Sequence, residues 1–338
     1  MRNSAKFIRL IPLLLMVILC NKIKAQVPTN DATYSLVAVD DFTGTAVNTA
    51  SWCPTYCWGN QGDRTIFDPA NVTVSGGWLK LKCEDLRSAP VYSNTSWWNY
   101  RSGAIQSKFL YKYGYWEMSA IMPKGEGFWG GLWTLGNCQS GNYSEIDVRE
   151  NNGAESMNDN LMVMHCHGGA VCTNSLNVDP IPNFTAIQSF TNAHKYAAFW
   201  EPGRVTWYFD DKEVATSYDP VNIGVDLSPT LISFEIDQLT TGQVTATFPG
   251  YLEVNYLKIS QLIPDCSIIE NICNFNPGTY SYKVKKSISI GGSGCSSPIN
   301  TSDNVNLWAT DFILLDEGTT ITDNGSGSFM VKTILCPN

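Results

Sequence analysis

The sequence predicts an all-β protein: a sandwich of two large antiparallel sheets followed by a small C-terminal β module. Three observations carry that prediction. Segments of strand period recur along the chain, among them Val72-Thr73-Val74, Trp78-Leu79-Lys80-Leu81-Lys82, Tyr115-Trp116-Glu117-Met118-Ser119-Ala120-Ile121 and Val205-Thr206-Trp207-Tyr208-Phe209. Turn signals divide them, including Ser75-Gly76-Gly77, Pro123-Lys124-Gly125, Asp210-Asp211 and Thr241-Gly242. No long stretch of helical period lies between Ser35 and Ser260, and a span of about 230 residues is long enough to build one substantial core.

The elements follow in order. Residues 1–25 read as a secretory signal peptide: Arg2, Lys6 and Arg9 precede an apolar run from Ile11 to Leu19, and Ile23-Lys24-Ala25 supplies a cleavage site. Cys20 ends that run, but Leu19 is too bulky for the position before a lipidated cysteine. No later stretch reaches the ~20 apolar residues of a membrane span. The mature protein is expected to be secreted, extracellular or on the cell surface. Loss of Arg2, Lys6, Arg9, Lys22 and Lys24 moves the formal charge from −9 to −14. So acidic a chain is a poor partner for nucleic acid or for heavily sulfated polysaccharide. Of eleven cysteines, ten remain after residue 25, and an even count in an exported chain points to disulfides. Zinc at Cys166 with His165 and His167 is the rival; it is disfavoured because adjacent strand residues point to opposite faces.

Residues 26–263 form the large sandwich in this reading. Pro264 to Gly278 is expected to be a connector, and 279–338 a small stacked module. Its short strands, such as Ser287-Ile288-Ser289-Ile290 and Asp311-Phe312-Ile313-Leu314-Leu315, are evenly spaced and divided by Gly, Asn, Asp and Ser. A unit of about 60 residues needs staples, which its cysteines would supply.

Chemistry concentrates in Glu145-Ile146-Asp147-Val148-Arg149-Glu150, with three carboxylates in six residues of a predicted strand. Glu145 and Asp147 share a face, and Glu150 falls one position late. One extra residue near Val148-Arg149, a β-bulge, returns Glu150 to that face. Acids crowded together repel, which keeps one protonated near neutral pH. A charged carboxylate beside a neutral carboxylic acid is what cleavage of a glycosidic bond requires. A solvated edge strand or a calcium site would also gather acids. The flanking Trp129-Gly130-Gly131-Leu132-Trp133 and His165-Cys166-His167-Gly168-Gly169 argue against both, since neither resembles an exposed edge.

From about Leu36 to Ser260 the chain resembles glycoside hydrolase family 16, endo-acting β-glucanases and galactanases. The likeness rests on segments in the family's order: Asp41-Phe42-Thr43-Gly44-Thr45, Arg101-Ser102-Gly103-Ala104-Ile105, Tyr113-Gly114-Tyr115-Trp116-Glu117, Glu145 to Glu150, His194 to Pro202, and Val205 to Val214. The resemblance implies a β-jelly-roll sandwich with a concave cleft. It makes Glu145 the nucleophile, Asp147 the assisting carboxylate, and Glu150 the general acid and then base of a retaining mechanism. Trp129 and Trp133 are the sugar-stacking candidates; Arg101 and His165 are further substrate contacts. His167 competes with His165 for the family's histidine, and His194 looks structural. Trp200 and Trp207 read as core.

Two departures bear on substrate: Trp129-Gly130-Gly131 stands where β-1,3-glucanases of the family usually have Trp-Pro-Ala, and Arg149 stands where they have an apolar residue. Regular alternation around the bulge turns Arg149 away from the acids. Asn255 replaces an Asp through which many relatives bind calcium. No cofactor and no catalytic metal is expected, and a structural calcium is left weakened. The partner implied is a polysaccharide, most of all β-1,3-glucan of the laminarin type, then agar-type galactan or mixed-linkage glucan. A monomer is expected. The reading from another class is a non-catalytic carbohydrate-binding sandwich, which would have no need to hold three repelling acids together. The C-terminal residues resemble a small β-stack module at the ends of secreted Bacteroidota proteins.

Overall fold

The computed structural model describes residues 34–60, 64–93, 96–136, 140–150, 161–169, 177–178, 181–186, 192–201, 203–219, 222–224, 226–236, 246–262, 265–273, 279–280, 284–299, 304–322 and 328–333. The expected signal peptide lies outside them. Among the described residues the only helical element is the 3₁₀ turn Pro69–Asn71, and no helix is long and apolar enough to cross a membrane.

Two large sheets face each other. The first runs Lys212–Ser217, Arg204–Phe209, His194–Glu201, Gly114–Ile121, Gly250–Leu262, Trp78–Asp85, Tyr100–Ser102 and Thr65–Phe67, joined by Tyr34–Asp40 and Val72–Ser75. The second runs Asn177–Val178, Leu161–Gly169, Tyr143–Glu150, Phe128–Leu135, Ser228–Ile236, Ala104–Tyr111 and Trp52–Cys53, with Phe184–Thr185 at its side. Pairing within them is antiparallel except between Thr65–Phe67 and Tyr100–Ser102. Non-consecutive strands are neighbours throughout, as when Gly114–Ile121 lies between His194–Glu201 and Gly250–Leu262.

Alternation of side chains builds the core. Along Trp78–Asp85 every second residue, Leu79, Leu81 and Cys83, is buried, as a strand with one core face dictates. They join Trp116, Met118, Trp200 and Trp207 of the first sheet and Leu132, Ile146, Val148, Met164, Ile232 and Phe234 of the second in one apolar cluster. Each fully buried large aliphatic side chain contributes roughly 1.5–3 kcal/mol. Trp207 and Trp200 belong to this core, as their positions on the hairpin suggest.

Two expectations are corrected. The stretch 264–278 is not simply a connector: Asp265–Ile272 is a strand that pairs in parallel with Val284–Ile290, so the C-terminal β structure begins almost where the sandwich ends. Asn304–Leu315, Thr279–Tyr280 and Ser328–Thr333 complete that parallel sheet. The C-terminal β structure has its own apolar cluster of Ile288, Ile290, Ile299, Val305, Leu307 and Ala309, to which Ile299 is brought by a separate two-stranded sheet of Ser297–Ile299 and Thr319–Ile321. The second correction concerns the cysteines. Cys53–Cys57 and Cys273–Cys295 are disulfides, and Cys266 is disulfide-bonded. Cys83 and Cys166, however, are thiols. Both occupy core-facing strand positions with no exposed surface, where they pack as small apolar side chains. Burial also pushes the Cys83 thiol far above its ordinary range, so it stays uncharged. Cys138, Cys172 and Cys336 lie outside the described residues.

Candidate active site

Tyr143–Glu150 sits inside the second sheet between Phe128–Leu135 and Leu161–Gly169. Ser144, Ile146 and Val148 turn into the sandwich, while Tyr143, Glu145 and Asp147 take the opposite face. The register then slips. On one side Trp133 pairs with Asp147 and Leu132 with Arg149; on the other His165 pairs with Asp147 and Val163 with Glu150. The acid-bearing strand thus carries one residue more than either neighbour, and Glu150 rejoins the face of Glu145 and Asp147. Gly131 is the residue opposite Glu150. A Cβ there would lie 3.1 Å from the Arg149 carbonyl oxygen, tighter than ordinary contact, so the bare glycine backbone accommodates the bulged strand beside it.

Arg149 points the other way. It is 1% exposed, its guanidinium lies 5.5 Å from the Tyr196 ring centroid, and Nη2 donates to the Leu161 carbonyl at 3.0 Å. Burial pulls its pKa down to about 10. The slip is braced from across the core, where Trp207 Nε1 donates to the Asp147 carbonyl at 2.9 Å.

Each acid has its own partners. Glu150 Oε1 accepts from Trp129 Nε1 at 2.8 Å, and Glu150 Oε2 lies 2.7 Å from His165 Nδ1. The Asp147 carboxylate has His167 Nε2 at 2.9 Å and His165 Nδ1 at 4.0 Å. Glu145 accepts from the Tyr143 hydroxyl and has His167 Nε2 at 4.0 Å. Burial, reinforced by the charge of Asp147, raises the Glu145 pKa to about 8, against the opposing pull of His167 and the Tyr143 hydroxyl. Asp147 is 1% exposed, and burial followed by the charge of Glu150 lifts its pKa well above the carboxylate range. For His165 burial works against protonation, but the hydrogen bond with Glu150 and the charges of Glu150 and Asp147 prevail and raise its pKa.

The structure brings Glu145, Asp147, Glu150, Trp129 and His165 together. Trp133 stands beside Asp147 on the neighbouring strand, but its indole N–H is held by Ser233 Oγ at 3.1 Å and its ring packs on Tyr56 at 5.9 Å. Arg101 is elsewhere, on the first sheet, paired with Glu84 at 3.2 Å and Asp68 at 3.7 Å. It lines a cavity of about 290 Å³ with Asn60, Phe67 and Asp68. An aromatic path joins the two regions: Tyr56 contacts Trp133, Phe67 at 4.8 Å and Trp58 at 4.9 Å, and Trp58 is 56% exposed. Three of these partners were missed or left undecided by sequence reasoning. Tyr143 is two residues before Glu145, so strand period alone puts it on the same face. His167 pairs opposite Glu145 and completes the histidine pair. Trp58 follows Cys57, whose disulfide to Cys53 holds its loop. His194, bonded to Asp210 at 2.8 Å, is structural. Asn255 Nδ2 donates to the Gly77 carbonyl at 3.0 Å, and its neutral amide brings no negative charge to a cation at this position.

The sequence profile of Glycosyl hydrolases family 16 matches residues 61–258. The chain belongs to glycosyl hydrolase family 16. It is 25% identical over 238 residues to the endo-1,3-1,4-beta-glycanase EglC of Rhizobium meliloti, covering 64% of this chain and 49% of that protein. It is 30% identical over 198 residues to the glucan endo-1,3-beta-glucosidase A1 of Niallia circulans, covering 53% and 28% respectively. The match therefore spans half or less of the length of these relatives. Among solved structures, porphyranase B from Zobellia galactanivorans aligns with a TM-score of 0.59 at 17% identity, over 68% of this chain and 93% of that one. The laminarinase catalytic domain of Thermotoga maritima aligns at 0.57 and 20% identity, over 68% and 99%. Both share the family 16 fold with this chain.

Two outcomes follow from the geometry. Trp207→Phe leaves the buried Asp147 carbonyl without its donor; the expected cost is about 1–3 kcal/mol in denaturant unfolding. The pH dependence of stability follows from Glu145, which binds its proton more tightly folded than unfolded. Its contribution is complete below its ordinary value of 4.5 and is lost as pH rises through about 8. Glu145→Gln should then raise the melting temperature over wild type by about 2–6 °C at pH 8 and far less at pH 5.

Proposed function

We propose that this family 16 member is a secreted retaining endo-β-glycosidase, with internal β-1,3-linkages of a laminarin-type glucan as its favoured substrate. The observation that carries the reading is the convergence of Glu145, Asp147 and Glu150 on one face, with Trp129 and His165 both engaging Glu150. Glu145 attacks the anomeric carbon as Glu150 protonates the departing glycosidic oxygen, and a covalent glycosyl–enzyme intermediate forms. Glu150, now a carboxylate, takes a proton from water, which attacks the same carbon and releases Glu145.

Asp147 makes this division of labour workable. Its environment favours the neutral form, and a neutral Asp147 no longer repels Glu145 and has a proton to donate to it. Glu145 can then carry the negative charge despite its burial, with the Tyr143 hydroxyl as a second donor. The oligosaccharide is taken to run from the acids past Trp133 toward the cavity beside Arg101, with exposed Trp58 as a stacking surface for a pyranose ring.

A mixed-linkage β-glucan is the second reading, supported by the name of the Rhizobium meliloti relative. The test is release of reducing ends from laminarin, lichenan and agarose by the purified chain. Wild type is expected to act first on laminarin, with Glu145→Gln at least about 1,000-fold slower. Activity on agarose alone would keep the chemistry and discard the glucan. Binding to laminarin with no cleavage would move the protein to the carbohydrate-binding class. Trp58→Ala should raise KM on long chains by about 2–10-fold and change kcat less.

A further inference from the structure

His165 and His167, two apart on one strand, face the acids, while Cys166 between them faces the core. One ligand atom from each of Asp147, Glu150, His165 and His167 can be chosen so that all four lie within 4.8 Å of one another. Asp147 Oδ2 is buried and accepts no hydrogen bond from any described residue; His167 Nε2 is close, at 2.9 Å, without forming one. The His167 contact is an ion pair without hydrogen-bond alignment, so a cation in the middle of this group would satisfy this buried oxygen more fully.

The donor set decides which cation. Two imidazole nitrogens with two carboxylate oxygens suit Zn²⁺ or Cu²⁺, whereas Ca²⁺ and Mg²⁺ take oxygen ligands almost alone. Tetrahedral zinc with bonds of about 2.0–2.1 Å holds its donors about 3.4 Å apart, so side-chain rotations closing the widest gap by up to about 1.4 Å complete the site.

We propose that the catalytic centre doubles as a binding site for Zn²⁺ or Cu²⁺, held by His165, His167, Asp147 and Glu150, and that the bound ion reversibly inhibits the enzyme. A Glu150 that ligates the metal has no proton to give and cannot activate water. Metal and substrate are therefore mutually exclusive. The inhibitory consequence rests on the glycosidase reading; the binding does not.

The chain has three histidines, which makes the site directly visible. Zinc chloride is titrated into tag-free full-length protein by calorimetry, with calcium and magnesium chloride as controls, and the imidazole resonances are followed by NMR. The expected result is one Zn²⁺ per chain, with two histidine resonances shifting while that of His194, engaged by Asp210, stays in place. His165→Asn and His167→Asn should each weaken zinc binding at least about tenfold, with melting curves confirming that the variants fold. Zinc should also inhibit reducing-end release in proportion to occupancy. The proposal is overturned by no saturable binding below millimolar zinc, by binding unchanged in both variants, by shifts that spare His165 and His167, or by full hydrolysis at saturating zinc. If no glycan proves to be a substrate, calorimetry and NMR still decide the metal site.

Discussion

A single residue of extra length in the Tyr143–Glu150 strand is the constraint on which the site depends. Without it Glu150 would face the core and Arg149 would face the cleft, placing a cation among the acids and an acid among Ile146, Val148 and Met164. A bulge in a central strand forgoes part of a hydrogen-bond ladder on both sides, so something else must hold the backbone. Trp207 does so from the opposite sheet, sending an indole N–H across the core to the Asp147 carbonyl. Core and site are therefore coupled. The same tryptophan that fills the sandwich also fixes where the acids stand.

The slip also sorts charges by face. Arg149 is removed to the interior, where Tyr196 and the Leu161 carbonyl receive it, and the acids are left to one another and to two histidines. Mutual repulsion and burial then act in the same direction on Glu145 and Asp147. The histidines and Tyr143 moderate that effect without abolishing it. Glu145 and Asp147 therefore hold their protons more tightly than free carboxylic acids do, which is a condition for acid and base roles in one site. The same crowding of nitrogen and oxygen donors gives the site its affinity for a borderline metal ion.

Much of this was legible in the sequence because strands repeat every two residues. Alternation in Trp78–Asp85 and in Gly114–Ile121 announced the sheets, and the odd spacing of Glu150 after Asp147 announced the bulge. Disposition of the cysteines was not legible, because counting thiols says nothing of which ones the core will enclose; Cys83 and Cys166 look like any others until the two sheets close over them. The strand Asp265–Ile272 was hidden for a related reason. Its pairing partner is Val284–Ile290, and a parallel pair is not joined by the tight hairpin whose flanking alternation announces antiparallel neighbours.

What the sequence by itself determined is the set of local periods: which segments extend, which side chains share a face, and that three acids would meet. Those follow from backbone geometry, which each short segment carries alone. Only the tertiary structure decided the company those acids keep. Trp129 and His165 come from the strands on either side to hold Glu150, Trp207 crosses from the other sheet, and Arg101 is drawn to Glu84 and Asp68 away from the acids. Contacts between residues distant in sequence depend on strand order and register. Those are set by the packing of the whole sandwich and are written in no single segment.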